Sequence, residues 1–156
     1  VRWFAREIFP AIRKELADLK FYVVGSKVTD EIQALEQPDN GIVIKGFVSD
    51  EELERLYASC RVVVVPLRYG AGVKGKVLEA LYNGAPVITT SIGAEGIPFV
   101  DQALKIEDTA EGFACQTTGL YQNPELCRQM QRSTQDYMKK HFSLDGAWDI
   151  IKDDFT

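Results

Sequence analysis

The residues best suited to chemistry lie in the segment Pro66–Lys76, which joins the most hydrophobic run of the chain to an amphipathic one. Gly70 and Gly72 can adopt positive φ and let main-chain amides approach an anion closely. Lys74 and Lys76 fall in the first turn of a predicted helix, where cations oppose the helix dipole unless an anion lies nearby. Together these features predict a diphosphate site at the helix start. The alternative is a solvated turn whose glycines close a tight connection.

One carboxylate lies one to two turns further along the same predicted helix, at Glu79. A ribose diol offers two hydroxyl donors to a carboxylate, so Glu79 is suited to hold the sugar of a nucleotide whose phosphates lie at the helix start. The alternative is an exposed glutamate on an amphipathic helix. The pair Gly75-Lys76 is not followed by Ser or Thr and the preceding spacing fails, so the loop is not a Walker A motif.

Alternating strand and helix signals surround this segment and predict an α/β fold: a Rossmann-like, mostly parallel sheet with helices on both faces. Short apolar or β-branched runs predict strands at Phe21–Gly25, Ile42–Ile44, Val62–Pro66, Pro86–Thr90 and Ala103–Ile106. Helical periodicity and capping signals predict helices at Trp3–Leu19, Thr29–Gln37, Ser49–Tyr57, Val73–Asn83, Ala110–Tyr121, Pro124–Lys140 and Leu144–Asp154. Residues 93–98 predict a glycine-rich turn.

The order of elements predicts that one strand is missing. A doubly wound domain normally begins with a strand, whereas this chain begins with a helix, so the absent first strand is expected to pair with the Phe21–Gly25 strand. The Val62–Pro66 strand is apolar on both faces and is expected in the middle of a covered sheet. Because the chain opens on Val1 and directly on a helix, we interpret residues 1–156 as a single domain cut from a longer protein.

Composition excludes several classes of protein. A formal charge of -5 argues against broad nucleic-acid binding, which usually requires a basic face. No apolar run approaches the roughly 20 residues of a membrane span, and no signal peptide opens the chain. Cys60, Cys115 and Cys127 are odd in number and widely spaced, which fits neither a disulfide framework nor a zinc site. Reduced thiols in a cytoplasmic protein without a bound metal are therefore expected.

Four further residues have simpler interpretations. His141 follows two lysines at a predicted helix end, where it is expected to cap the helix. Glu95 follows the next strand on the ligand side and is placed to contact a donor or a partner domain, with an exposed turn residue as the alternative. Trp3 and Trp148 are expected to pack in terminal helices.

The segment Pro66–Ile97 resembles a known family. Its sequence Gly-Ala-Gly-Val-Lys-Gly-Lys-Val-Leu-Glu-Ala-Leu, followed by Asn-Gly-Ala-Pro-Val-Ile-Thr-Thr and Gly-Ala-Glu-Gly-Ile, is similar to the C-terminal domain of retaining group 1 glycosyl transferases of the GT-B fold. The resemblance is specific over Gly46–Ile97. It implies the nucleotide-sugar-binding half of a two-domain enzyme of the hexosyltransferase type.

The resemblance also implies roles for single residues. The family has two glutamates on this helix; the second corresponds to Glu79, which implies a ribose contact, whereas the first corresponds to Ala71. That departure leaves the donor sugar and the activity open. Main-chain amides from Gly70, Ala71, Gly72 and Val73 to Lys74 remain available to sugar and phosphates. The Arg and Lys of the family's first loop lie before Val1 or are absent, so Lys74, Lys76 and Arg68 are the candidates to neutralise the diphosphate.

The family holds the nucleobase at a strand-to-helix corner that corresponds to Gly46-Phe47-Val48 in this sequence. Phe47 and Val48 are therefore expected to contact a base, or else to pack on the following helix. Acceptor-binding and catalytic residues belong to an N-terminal domain, so the partner of this chain is expected to be that domain, and the chain alone is not expected to turn over. Membrane association of the full enzyme is compatible with this interpretation.

The function predicted from the sequence is donor binding in a glycosyltransferase, with a nucleoside-diphosphate sugar as substrate and no separate cofactor. Two alternatives stay open. A nucleotide-sugar epimerase shares the two-domain architecture. A non-catalytic α/β interaction module that has lost its ligand would explain Ala71.

Overall fold

The computed structural model describes residues 1–142, and these residues form five strands and a series of helices around them. The strands are β1 (Phe21–Val24), β2 (Ile42–Gly46), β3 (Val63–Val65), β4 (Val87–Thr89) and β5 (Lys105–Ile106). The helices are α1 (Phe9–Glu15), α2 (Asp30–Gln33), α3 (Asp50–Ser59), α4 (Gly75–Tyr82), α5 (Ser91–Ala94), α6 (Ala110–Gln122) and α7 (Pro124–Phe142), with a π-helical turn at Phe4–Ile8 and a 3-10 turn at Val100–Gln102. The predicted α/β architecture is confirmed. The helix predicted at Leu144–Asp154, and Trp148 within it, lie outside the described residues.

All strand pairs are parallel, but their hydrogen bonds divide them into two sheets. One sheet pairs β1 with β2, and the other has the order β3-β4-β5. The expectation that Val62–Pro66 lies in the middle of a sheet is therefore wrong for the described residues: β3 is an edge strand. Its neighbour on one side is β4, with Val63 opposite Val87. On its other side lies a slot that separates it from β1.

The predicted first helix is shorter and less regular than its apolar pattern suggests. Pro10 has no amide hydrogen, so the regular bond to residue 6 cannot form, and the amide of Phe9 instead bonds Phe4 in a π turn. The helix ends at Glu15 because Leu16 adopts φ -125° and ψ 70°. Leu19 lies in the following turn, outside the helix that its periodicity predicts. The Leu19 side chain still packs against the core, so its apolar character continues the helical pattern in the sequence although the helix has ended.

Two other boundaries differ from prediction. The helix predicted over Thr29–Gln37 stops at Gln33, and the Glu36 carboxylate that follows accepts the amide of Ile44 at 3.2 Å. The turn predicted at residues 93–98 overlaps the short helix α5, in which the Thr90 hydroxyl caps the amide of Gly93. Gly93 suggests a turn in the sequence, but the reason for a glycine at this position is packing. A Cβ there would lie 1.9 Å from the hydroxyl of Thr89.

The core consists of two apolar clusters, one on each side of the second sheet. One contains Phe4, Ile12 and Phe113, and the other contains Val77 and Leu81. Strand β4 contributes to both, because adjacent residues of a strand point to opposite faces. Helices therefore cover both faces, as predicted. The three cysteines are free thiols, and no helix within residues 1–142 is both long and apolar enough to cross a membrane.

Candidate functional site

The carboxyl ends of β1, β2 and β3 place three loops at one edge of the sheets. These strands end at Val24, Gly46 and Val65. Strands β1 and β2 are parallel, and Lys76 of α4, which follows the β3 loop, approaches Gly25 at the end of β1, so these loops lie at the edge where ligands bind in open α/β folds. Gly25 extends β1, and Phe47 follows β2. The loop of residues 66–74 follows β3 and leads into α4.

Helix α4 begins without a side-chain cap. Its N-cap residue is Lys74, which cannot accept a hydrogen bond from the first amides. Ser49 caps α3 and Thr109 caps α6 through their hydroxyl groups. The amides of Gly75 and Lys76, in the first turn of α4, lack a carbonyl four residues back within the helix. The helix therefore starts two residues later than predicted and presents amide donors at its end.

The loop before α4 has the backbone that its glycines predict. Gly70 and Gly72 have φ of 126° and 74°, in the region that residues with a Cβ avoid. Ala71 lies between them and is exposed, as is Tyr69, which is 83% exposed. A large aromatic ring with so little cover is open to a ligand or another protein surface. Tyr69 is thus a candidate that the sequence motifs alone do not single out.

The two lysines point in different directions. The Lys74 ammonium donates to the carbonyl of Gly72 and lies 3.5 Å from the carboxylate of Glu95. The Lys74 side chain is only 11% exposed, so this ion pair fixes it between the loops after β3 and β4. Lys76 is exposed and reaches towards the end of β1: a Cβ built on Gly25 would lie 3.8 Å from its ammonium nitrogen. Lys76 is therefore the more available of the two to an incoming anion.

Val73 and Gly96 bring the same two loops into contact. Gly96 has φ 75°, and a Cβ there would lie 3.2 Å from a methyl group of Val73. Val73 is nevertheless 55% exposed. Glu95, predicted to face the ligand side, therefore lies beside the loop of residues 66–74 through its ion pair with Lys74.

The Glu79 carboxylate is exposed and lines the slot between β1 and β3. Among residues 1–142 its side chain has no hydrogen bond or ion pair, whereas its main-chain carbonyl accepts from Asn83. Burial, and then the negative charge of Glu79, raises the pKa of Tyr57 to about 12. The carboxylate therefore lies near Tyr57 and is free to accept hydrogen bonds from a ligand.

The predicted base contacts lie at the end of β2. Phe47 is 79% exposed and Val48 is half-buried, so Phe47 is not packed on the following helix. The Arg68 guanidinium lies over the ring of Trp3, 5.1 Å from its centroid. Trp3 itself packs edge-on against Phe113, as a packing residue should.

Two further expectations concern the role of His141 and the binding of a metal ion. His141 is in the last turn of α7, as predicted, and its ring packs against Phe99 and Tyr137. Its Nε2 is buried without a hydrogen-bond partner among the described residues. The part of the chain that the structure describes has no group of three or more His, Cys, Asp or Glu side chains arranged to hold a metal ion.

Comparison with known proteins identifies the family of this chain. The sequence model of the family described as "Glycosyl transferases group 1" matches residues 1–123 of the chain. The chain belongs to this family. An uncharacterized 44.6 kDa protein in the cps region of Klebsiella pneumoniae is 35% identical over 99 residues, which cover 60% of this chain and 26% of that protein. The chain thus matches about a quarter of the length of this relative.

Two residues of this glycosyl transferase domain lie at the edge although their sequence context does not mark them as site residues. Tyr57 is predicted only as the last residue of its helix, and the fold brings it within electrostatic range of Glu79, with which it lines the slot. Gly25 is predicted simply to end a strand. A glycine directly after the first predicted strand, at the ligand edge, is the signal that could have identified it.

The raised pKa of Tyr57 predicts a loss of stability in alkali. In the unfolded chain this tyrosine releases its proton near pH 10, whereas in the folded chain it holds the proton to about pH 12. Its contribution to stability is therefore full below pH 10 and is lost as the pH rises to about 12. Urea unfolding of Tyr57→Phe should show a smaller loss of stability over this interval than the unmodified protein. Equal losses in both proteins would contradict the assignment.

Proposed function

We propose that this chain is the donor-binding domain of a glycosyltransferase that takes its sugar from a nucleoside-diphosphate sugar. The observation that carries the proposal is the uncapped start of α4, with the exposed Lys76 beside it and the unpaired carboxylate of Glu79 one turn further on. Free amides, a cation and a carboxylate at this spacing match the successive parts of a diphosphate and its ribose. Family membership supports the transferase class.

Each part of the donor is assigned to residues at the same edge. The diphosphate and sugar lie against the amides of residues 70–74 and the start of α4, with Lys74 and Lys76 as counter-charges. Glu79 accepts from the ribose hydroxyls. Phe47, exposed at the end of β2, and Val48 contact the flat base. Arg68 borders the loop and contacts the donor or the second domain, and Glu95, which pairs with Lys74, contacts the second domain.

The chemical role proposed for this domain is electrostatic. As the bond from sugar to diphosphate breaks, negative charge builds on the departing oxygen, and the amides and lysines stabilise that charge without a metal cofactor. Ala71 contributes no carboxylate to the transferred sugar, so main-chain amides hold it there. An N-terminal domain of the same cytoplasmic protein supplies the acceptor site, so this chain binds the donor but does not turn it over.

Calorimetric titration of the chain tests the proposal. Uridine and guanosine diphosphates are the ligands, and the corresponding nucleosides are the matched controls that lack phosphate. We expect at least one diphosphate to bind about 10-fold or more tightly than its nucleoside, because charge-assisted hydrogen bonds contribute about 1.5–3 kcal/mol each. Equal affinity for diphosphate and nucleoside, or no binding by the folded chain, would refute the proposal.

Replacement of Glu95 by glutamine should strengthen diphosphate binding. The Glu95 carboxylate competes with the ligand for Lys74, and its 57% exposure limits the effect to a few-fold. Titration of Glu95→Gln with the same diphosphate at low and high salt measures the change. The variant should gain most at low salt, where charges are least screened. Weaker binding at both salt concentrations would show that Glu95 assists the ligand instead of competing with it.

A further inference from the structure

Helices α3 and α4 lie on the same face of the second sheet, because both pack against the same apolar cluster. That cluster contains Val77 and Leu81, and it is covered by Tyr57 near the end of α3 and by Leu78 of α4. Glu79 follows Leu78 directly, and Tyr57 and Glu79 both line the slot between β1 and β3. The phenol and the carboxylate therefore border one cleft from two different helices.

Both side chains tilt towards the edge that carries the proposed donor site. A helical side chain leans towards the N-terminus of its own helix. Helix α3 follows β2 and α4 follows β3, so each helix begins at the carboxyl end of a strand, and its side chains lean back towards that end. Tyr57 and Glu79 thus extend from two helices towards the diphosphate position at the start of α4.

Each of these two polar groups lacks a partner within residues 1–142. The Tyr57 main-chain carbonyl accepts from the thiol of Cys60, but the phenol has no hydrogen bond there, and neither has the Glu79 carboxylate. In the same residues, the buried side-chain nitrogen and oxygen atoms without a partner belong to Thr118 and His141, so the unpaired phenol oxygen is accessible. Burial, and then the negative charge of Glu79, raises the pKa of Tyr57 to about 12, so the phenol is a donor at neutral pH.

A donor and an acceptor that border one cleft match a ligand hydroxyl. A carboxylate only accepts hydrogen bonds, whereas a hydroxyl both donates and accepts. A hydroxyl between the two side chains can therefore donate to Glu79 and accept from Tyr57. A phosphate oxygen cannot donate to the carboxylate, and an ammonium group cannot accept from the phenol. The pair thus suits the pentose of a nucleotide better than its charged groups.

We infer that Tyr57 binds the donor ribose together with Glu79: its phenol donates to the same hydroxyl that donates to the carboxylate. This inference rests on the proposed function, since it requires the pentose of a nucleotide between α3 and α4. It makes that hydroxyl a determinant of specificity, because a ligand without it leaves both the phenol and the carboxylate unpaired.

Calorimetric titration of Tyr57→Phe tests the inference, because this variant keeps the ring and removes only the hydroxyl. The ligands are uridine and guanosine diphosphates and their 2′-deoxy and 3′-deoxy forms. The variant should bind the ribose form of the preferred diphosphate about 5-fold more weakly than the unmodified protein, the usual magnitude for one neutral hydrogen bond. One of the two deoxy forms should bind both proteins equally, because Tyr57 has no partner when the shared hydroxyl is absent.

Tyr121→Phe is the matched control. The Tyr121 carbonyl accepts from Arg61 at 2.6 Å, so Tyr121 lies beside the start of β3, at the opposite end of this strand from the donor site. The control removes a phenol oxygen without touching the cleft between α3 and α4, and it should bind every ligand as the unmodified protein does. Thermal unfolding confirms that both variants are folded.

Three results would overturn the inference. Unchanged affinity of Tyr57→Phe for a diphosphate that the unmodified protein binds more tightly than the nucleoside would reject the role of Tyr57 and leave the proposed function standing. Equal weakening of the ribose form and both deoxy forms would show that the phenol supports the shape of the cleft and does not contact the ribose. If the unmodified protein bound neither diphosphate more tightly than its nucleoside, the proposed function would fail, and the inference with it.

Discussion

Replacement of Gly93 by alanine is expected to lower the free energy of unfolding by about 3 kcal/mol, a large effect for the addition of a single methyl group. A Cβ at this position would lie 1.9 Å from the Thr89 hydroxyl, and Thr89 is completely buried. That hydroxyl donates to the carbonyl of Val65 at 2.8 Å and thereby links β4 to β3. Relief of the clash must break this buried hydrogen bond or displace α5. Urea unfolding measures the loss.

The same substitution at Gly119 provides the matched control. Gly119 lies within α6, and a Cβ there would have no neighbour within 4 Å. Gly119→Ala should raise stability by about 0.5–1 kcal/mol, because alanine loses less backbone entropy in a helix. A Gly93→Ala protein as stable as the Gly119→Ala protein would show that α5 and Thr89 are not packed as described.

Replacement of Glu79 by alanine is expected to weaken binding of a nucleoside diphosphate by roughly 30-fold, about 2 kcal/mol, the usual magnitude for hydrogen bonds to a charged group. The carboxylate is exposed and has no hydrogen bond or ion pair within residues 1–142, so its loss should leave the fold intact. Calorimetry with uridine and guanosine diphosphates measures the affinity. Thermal unfolding confirms that the variant remains folded.

Two controls separate a ribose contact from a general charge effect. Glu111→Ala removes an exposed glutamate from α6 and should bind the diphosphate as the unmodified protein does. The 2′-deoxy form of the ligand should bind the unmodified protein more weakly than the ribose form, yet bind Glu79→Ala no differently. If Glu79→Ala still distinguished the two forms, the carboxylate would not contact that hydroxyl.

The sequence predicted the elements of the fold better than their arrangement. Runs such as Val62–Val65 and the helical period of α4 are local properties, and they identified strands and helices within a few residues. The end of the first helix was wrong because Leu16 and Leu19 pack in a turn with the same periodicity as in a helix. The edge position of β3 was also missed. An apolar run indicates that a strand is buried, but it does not indicate which neighbouring elements cover the strand.

In the candidate site, too, local features were predicted better than the contacts between distant parts of the chain. Glycine type predicted the positive φ of Gly70 and Gly72, whereas the start of α4 lies two residues later than the sequence predicted. The ion pair of Lys74 with Glu95, and the approach of Tyr57 to Glu79, join parts of the chain that are about 20 residues apart. Only the parallel order of strands brings such residues together. Spacing along one helix could not have predicted either interaction.

The reach of Lys76 across to Gly25 has an electrostatic consequence for this edge. Lys76 belongs to α4, yet its ammonium group lies at the end of β1, so one cation serves the loops that follow two different strands. Because Lys76 is exposed, its charge is screened by salt, and the attraction of this edge for any anion should weaken as the ionic strength rises.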